Sequence, residues 1–281
     1  MKAVLRWLVR LAVLLGIAIA APILLLIGCQ SKLIYFPRPY PAGTAAAWQS
    51  ATGGKPIDFE TSQGKQRAFL QGNLKAPRNL WIVFGGNATV ALDWSDWLAA
   101  HAPSDDAWLL MDFPGYGDCH GSATPDRIRE SISIAVPKAS AALGWTGNPD
   151  PKHLRFFGHS LGAAASLIAA TEFKIQRGVL MSPFTSTMDM SKQTTGLPLG
   201  FLVWHRFDNS ARLTDLTARG PGKVIIIHGT EDEAISVEMG RKLAKEHPTT
   251  VRFKEIPGAG HNNLTETSTT EIAAALKEIG Q

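Results

Sequence analysis

Cysteine is nearly missing from this chain. Cys29 and Cys119 are the two present, too few for a disulfide framework and not spaced for zinc. The eight histidines are scattered, with no His-Glu-x-x-His or similar pair, so metal-dependent chemistry is not expected and no cofactor is implied. Basic patches interleaved with aromatics are also lacking, which sets nucleic acid aside as a partner. Net positive charge is scarce away from one end. The net charge is +4, but taking Lys2, Arg6 and Arg10 from the 28 basic residues leaves 25 against 24 acidic ones. With that end removed, about 250 residues remain, which suits one large α/β domain better than two small ones.

The N-terminal end is different in kind. Lys2, Arg6 and Arg10 are followed by an uncharged apolar run, Leu11 to Ile27, broken only by Gly16 and Pro22. That length is near the lower limit for a spanning helix. A basic start and an apolar middle over 1–28 read as an export signal or signal anchor. The run closes on Leu26-Ile27-Gly28-Cys29, which matches the bacterial lipobox and makes Cys29 the expected lipidation site. Gln30 is not the aspartate that retains such proteins on the inner membrane, so the match favours the outer membrane where a cell has one. An uncleaved anchor with an incidental cysteine is the competing reading. Either way the rest of the chain is expected on a membrane, facing the periplasm or cell exterior. Residues 29–54 read as a tether along the domain surface, with Tyr35-Phe36-Pro37 making a simple apolar contact.

From about residue 55 onward, strand and helix patterns alternate. Ile57–Glu60 and Arg67–Leu70 flank a turn at Ser62-Gln63-Gly64-Lys65 and read as a hairpin. Continuous apolar runs follow at 80–84, 108–111, 154–157, 178–181 and 224–227, with a sixth at 251–256. Such runs mark strands buried on both faces, as in a parallel sheet. Helical stretches lie at 91–100, 161–171, 237–246 and 266–279. Another begins with Thr124 as N-cap and Pro125 as first residue, with Pro137 expected to kink or end it. The expected class is α/β: a mostly parallel sheet of about eight strands with helices on both faces. Ligands in such sheets bind beyond the carboxyl ends of the strands.

The most telling of those ends is Gly158-His159-Ser160-Leu161-Gly162. Strand, sharp turn and Ala-rich helix put a serine hydroxyl above the sheet, and the flanking glycines avoid collisions there. The Leu161 N–H opens the helix and can donate to a developing oxyanion. Gly85-Gly86-Asn87 follows the 80–84 strand, and the Asn87 N–H is the candidate second donor. Asp112 to Gly121 is a glycine-rich loop in which Asp112 reads as a loop holder and Cys119 as a passive thiol. Past 224–227 come Glu231, Asp232 and Glu233, three acids that spacing alone does not separate. Past 251–256 comes Gly260-His261, a histidine on a glycine-flanked loop that can serve as general base. His159 reads as pointing elsewhere and His228 as structural.

The order Ser160, Asp232, His261 resembles the α/β-hydrolase superfamily over about residues 55 to 281. That resemblance singles out Asp232 as the acid. It also implies a short cap at about 182–215, where Leu197, Leu199, Phe201, Leu202 and Trp204 make either a small lid or ordinary core. Within the superfamily the chain is similar to small membrane-tethered hydrolases with a Tyr-Phe-Pro stretch after the anchor and a segment like Ser182-Pro183-Phe184-Thr185-Ser186. That group includes enzymes acting on acylated proteins. Two positions depart from the pattern: Gly85, where many members carry histidine, and Ser236, near where proline is common. The resemblance implies a serine hydrolase cleaving esters or thioesters of a small-molecule or acylated substrate through an acyl-serine. A serine peptidase on the same fold and a non-catalytic surface binding protein are the alternatives.

Overall fold

The computed structural model describes residues 2–281. Helix α1 spans Lys2–Gly28, followed by α2 (Gln30–Ile34) and α3 (Thr44–Thr52). Among the described residues no helix is long and apolar enough to cross a membrane. The side chains at 3, 19, 22, 23, 26 and 27, most of them inside the expected anchor run, lie outside the described set. The stretch read as a surface tether is partly internal. Tyr35 and Trp48 are buried, Tyr35 in one half of the core and Trp48 in the other.

Eight strands form one sheet: β1 (Lys55–Thr61), β2 (Gly64–Gly72), β3 (Leu80–Phe84), β4 (Ala107–Met111), β5 (Leu154–His159), β6 (Arg177–Met181), β7 (Lys223–Gly229) and β8 (Val251–Ile256). The order across the sheet is β1-β2-β4-β3-β5-β6-β7-β8. β2 runs antiparallel to β1 and to β4, and every other pair is parallel. Five of the six runs are interior strands because both their faces are covered: β3 and β4 are buried at every residue. The sixth, β8, is instead an edge strand, buried at Val251 and Ile256 but exposed at Arg252, because no further strand covers it. The hairpin is tighter than expected. Thr61 pairs with Gly64, which leaves only Ser62 and Gln63 as the loop.

Helices α4 (Ser95–His101), α5 (Pro125–Ala142), α6 (Leu161–Glu172), α7 (Thr187–Thr195), α8 (Asn209–Ala218), α9 (Val237–Glu246), α10 (Leu264–Thr267) and α11 (Thr269–Gly280) complete the chain. The Thr124 hydroxyl caps α5 by accepting from the Arg127 N–H, with Pro125 at the first position. Pro137 does not end that helix, which continues to Ala142. The buried face of Ile128, Ile132, Ala135, Val136 and Ala139 holds it against the sheet, and that packing outweighs the lost hydrogen bond. The final helix is split at Ser268, whose hydroxyl bonds back to the Leu264 carbonyl. Two cores result, one on each sheet face, and Phe156 and Phe157 are adjacent residues of β5 that point into opposite ones.

Candidate active site

Ser160 stands between β5 and α6 at φ 57° and ψ −120°, a conformation that L-residues adopt only when the surroundings force it. The glycines on either side explain how the turn closes. A Cβ on Gly158 would lie 2.2 Å from the Gly162 carbonyl oxygen. One on Gly162 would lie 2.2 Å from the Gly85 oxygen and 2.3 Å from that of Phe84. The elbow is therefore wedged against the end of β3, and the Ser160 N–H donates to the Met181 carbonyl at the end of β6.

The loop after β3 comes close to the serine. A Cβ on Gly86 would sit 3.6 Å from that of Ser160 and 3.0 Å from His159 Nδ1. Glycine is thus what lets this backbone approach Ser160. Gly85 is explained by its neighbours. Thr89 Oγ1 and the Trp94 indole fill the space a side chain there would need, and Thr89 Oγ1 donates to the Gly86 carbonyl and braces the loop. Among the described residues, neither the Asn87 N–H nor the Leu161 N–H donates to a protein acceptor. The Leu161 amide opens α6 directly after Ser160, and the Asn87 amide follows Gly86, whose backbone approaches Ser160.

The Asn87 side chain does something that spacing did not reveal. Its Oδ1 accepts from the Tyr116 hydroxyl at 2.7 Å and from the Phe36 N–H at 3.0 Å, and its Nδ2 donates to the Ile34 carbonyl at 2.6 Å. Tyr116 also accepts from the Phe36 N–H at 2.8 Å, and burial pushes its phenol up to about 12. The segment expected to lie as a passive tether is thus pinned to the loop that carries the Asn87 amide.

Asp232 follows β7 with its carboxylate fully buried. Its Oδ1 accepts from the Ala234 and Ile235 N–H groups at 3.0 and 2.7 Å, and Oδ2 faces His261 Nδ1 at 2.8 Å. Burial by itself would raise this carboxyl. The hydrogen bonds from His228, His261 and the Ile235 N–H outweigh it and hold the group far below the usual carboxylate range. Of the three acids, Asp232 meets the His261 ring, Glu233 accepts from the His261 backbone N–H at 3.1 Å, and the Glu231 N–H is tied to the Ala259 carbonyl. Ser236 takes the place of the common proline by accepting from the Glu238 N–H, as the N-cap of α9.

His261 donates from Nδ1 to Asp232, which leaves Nε2 as the free acceptor on its ring. No hydrogen bond joins that ring to the Ser160 hydroxyl among the described residues; such bonds commonly tighten only when substrate is bound. His159 does not turn away from the site. Its ring packs on that of His261 with centroids 4.8 Å apart. Burial, followed by the neighbouring His261, pushes its pKa down to about 3, so it stays neutral and does not compete for the proton. His228 is more than scaffolding. Its Nε2 donates to the Ile235 carbonyl at 2.9 Å and lies 3.3 Å from Asp232 Oδ2, and its Nδ1 is buried without a partner. The i, i+4 spacing of a histidine and the acid was the available signal for that contact.

The remaining expected residues fall away from this centre. Cys29 precedes α2 and is half-buried. The Cys119 thiol is pushed up to about 12, by burial first and the nearby Asp112 second, which keeps it unreactive. Asp112 holds its loop by accepting from the Ala91 N–H and the Tyr40 hydroxyl. In the cap, core packing fails for Leu197, Phe201 and Trp204, whose side chains are exposed.

No family model matches the sequence. The chain is 27% identical over 238 residues to the uncharacterised protein Rv2307c of Mycobacterium tuberculosis, covering 83% of this chain and 81% of that one. It is 28% identical over 153 residues to human alpha/beta hydrolase domain-containing protein 17B, which spans 54% of this chain and 49% of the relative. Among solved structures, the esterase Pf2001 of Pyrococcus furiosus superposes with a TM-score of 0.66 at 15% identity, covering 88% of this chain and 96% of that one. The chain has the α/β-hydrolase fold.

Proposed function

We propose that this protein is a serine hydrolase of carboxylic esters or thioesters, working through an acyl-serine and held at a membrane by its N-terminal segment. The observation that carries the chemistry is the buried Asp232–His261 pair at 2.8 Å, set at the same sheet edge as a serine on a strained elbow. His261 Nε2 takes the Ser160 proton as Oγ attacks the carbonyl carbon. The oxyanion so formed is met by the free N–H groups of Asn87 and Leu161. Nε2 then protonates the leaving alkoxide or thiolate, and the acyl group stays on Ser160. A water, deprotonated by the same nitrogen, attacks that acyl-serine and the acid departs. Asp232 fixes the tautomer and stabilises the imidazolium. No step calls for a metal or cofactor.

The name of the solved neighbour, an esterase, supports ester over peptide cleavage. The exposed cap supports a substrate whose acyl chain is attached to something larger. A basic start and apolar run before Cys29 support anchorage facing the periplasm or cell exterior, with Cys29 as the lipid-bearing residue. Two measurements test this reading. Fluorophosphonate is expected to label the folded protein at Ser160, and an unlabelled protein favours a binding module. Mass spectrometry of the mature chain is expected to find diacylglyceryl on an N-terminal Cys29; an intact Met1 terminus leaves only the uncleaved anchor.

A further inference from the structure

We propose that α2 and the cap form a single lipid-contacting face, and that an anionic membrane surface is its occupant. The proposal rests on the membrane reading above for the identity of the partner, and on the following geometry for its place. The Gln30 side chain donates to the Leu202 carbonyl and accepts from the Trp204 N–H at 2.8 Å. Ser31 Oγ lies 3.4 Å from His205 Nε2, and the Tyr35 hydroxyl lies 3.3 Å from His205 Nδ1. The Tyr35 and His205 rings meet edge to face at 5.4 Å. The cap is thereby tied to the first residues after Cys29, where the chain leaves the apolar α1.

The apolar surface of the molecule is concentrated there. Among the described residues beyond α1, every large exposed hydrophobic side chain belongs to this region: Leu33, Phe36, Met188, Leu197, Phe201 and Trp204. Trp204 is 72% exposed and Phe201 64%, values that are costly for side chains facing only water. The charge around them is mostly basic: Arg38 is paired with Asp93, while Lys32, Lys192 and Arg206 meet no carboxylate among the described residues. Residues 30–49 and 190–207 contain Lys32, Arg38, Lys192 and Arg206 and no acid. Of the acids next to the cap segment, Asp189 accepts from the Thr185 hydroxyl and Asp208 caps α8. Tryptophan and phenylalanine rimmed by lysine and arginine is the composition of a surface that enters the headgroup layer. A second copy of the chain fits less well, because the same basic rim would face itself. Phe36 joins this face to the catalytic side, since its N–H bonds Asn87. A lipid-borne acyl group would therefore arrive beside the loop that carries one of the two free amides.

The test uses the full-length protein in phosphatidylcholine–phosphatidylglycerol vesicles with bromine-labelled acyl chains. The fluorescence difference between the unmodified protein and Trp204→Phe reports Trp204 alone. That difference is expected to shift to shorter wavelength and to be quenched by bromine. A Phe201→Ser, Trp204→Ser double variant is expected to lose at least about tenfold in hydrolysis of a vesicle-embedded long-chain ester, with hydrolysis of soluble p-nitrophenyl acetate unchanged. Trp204 fluorescence that is unquenched, while the protein still floats with the vesicles, overturns the proposal and keeps the anchor. Concentration-dependent dimers that bury Trp204 in detergent assign the face to a second copy and overturn it as well. If Trp204 is unquenched and the protein does not float with the vesicles, the anchor reading falls with it. An absence of esterase activity in the unmodified protein sinks the hydrolase reading and leaves the fluorescence result standing.

Discussion

Two segments that lie past the carboxyl ends of neighbouring strands, the elbow after β5 and the cap after β6, are built on opposite terms. The elbow is packed from all sides. Gly158 and Gly162 have backbone oxygens where a side chain would go, Ser160 is held at positive φ, and α6 behind it is buried from Leu161 to Ala170. The cap is loose by comparison. Helix α7 has no buried residue, and Phe201 and Trp204 after it stand in solvent. A reacting atom must be placed to within a fraction of an ångström and needs a surround that tolerates nothing else. A surface that meets a fluid or bulky partner needs exposed apolar area and few constraints.

The widest gap between the two regions should appear in turnover. Ser160→Ala is expected to lower hydrolysis of a p-nitrophenyl ester on the order of 10⁵-fold, with the thermal unfolding midpoint unchanged; retained activity would break the assignment. Asp232→Asn is expected to cost about 10⁴-fold, because an amide leaves His261 in the wrong tautomer. His228→Gln, which keeps a donor toward the Ile235 carbonyl, should cost far less than His228→Ala in kcat, with KM unchanged in both.

Stability sharpens the same contrast. Gly162→Ala drives a methyl against two backbone oxygens and is expected to lower unfolding free energy by about 3 kcal/mol or more. Gly196→Ala, at the C-terminal end of α7, has nothing within 4 Å of the new carbon and pays only for its φ of +70°, about 1 kcal/mol. Equal losses in denaturant titrations would mean that the rim is no more constrained than the cap.

The smallest effect is a pH dependence. Burial pushes the Asp112 carboxyl up to about 7. The folded protein therefore holds this proton more tightly than the unfolded chain does. The resulting stability is fully present below the ordinary carboxylate value near 4 and is lost as pH rises toward about 7. Asp112→Asn keeps the acceptor for the Ala91 N–H and is expected to flatten the stability profile between about pH 4 and 7. An unchanged slope would place its origin in another group.

Much of the scaffold was legible because burial on both faces of a strand leaves an uninterrupted apolar run. That is why 80–84 matches β3 to the residue, whereas β8 at 251–256 is an edge strand whose burial falls off between Val251 and Ile256. The glycines of the elbow were legible for a similar reason: close backbone approach excludes every other residue type. The contacts that tune the site were not. Asn87 bonds Ile34 and Phe36 across more than fifty residues, and no local pattern announces such a partner. Tyr35 reads as a surface aromatic until the cap's His205 lies against it. His159 was expected to leave the site because it neighbours the nucleophile, yet the twist of the elbow turns its ring onto His261.

Residue order alone determined which side chains are candidates for chemistry and which strand each one follows, since side-chain type and local period are properties of short stretches. Only the assembled sheet decided which of three consecutive acids faces His261, that His228 shares that carboxylate, and that the segment after α1 locks onto both the oxyanion loop and the cap. Those are distances between residues far apart in the chain, and they exist only once the strands have taken their order.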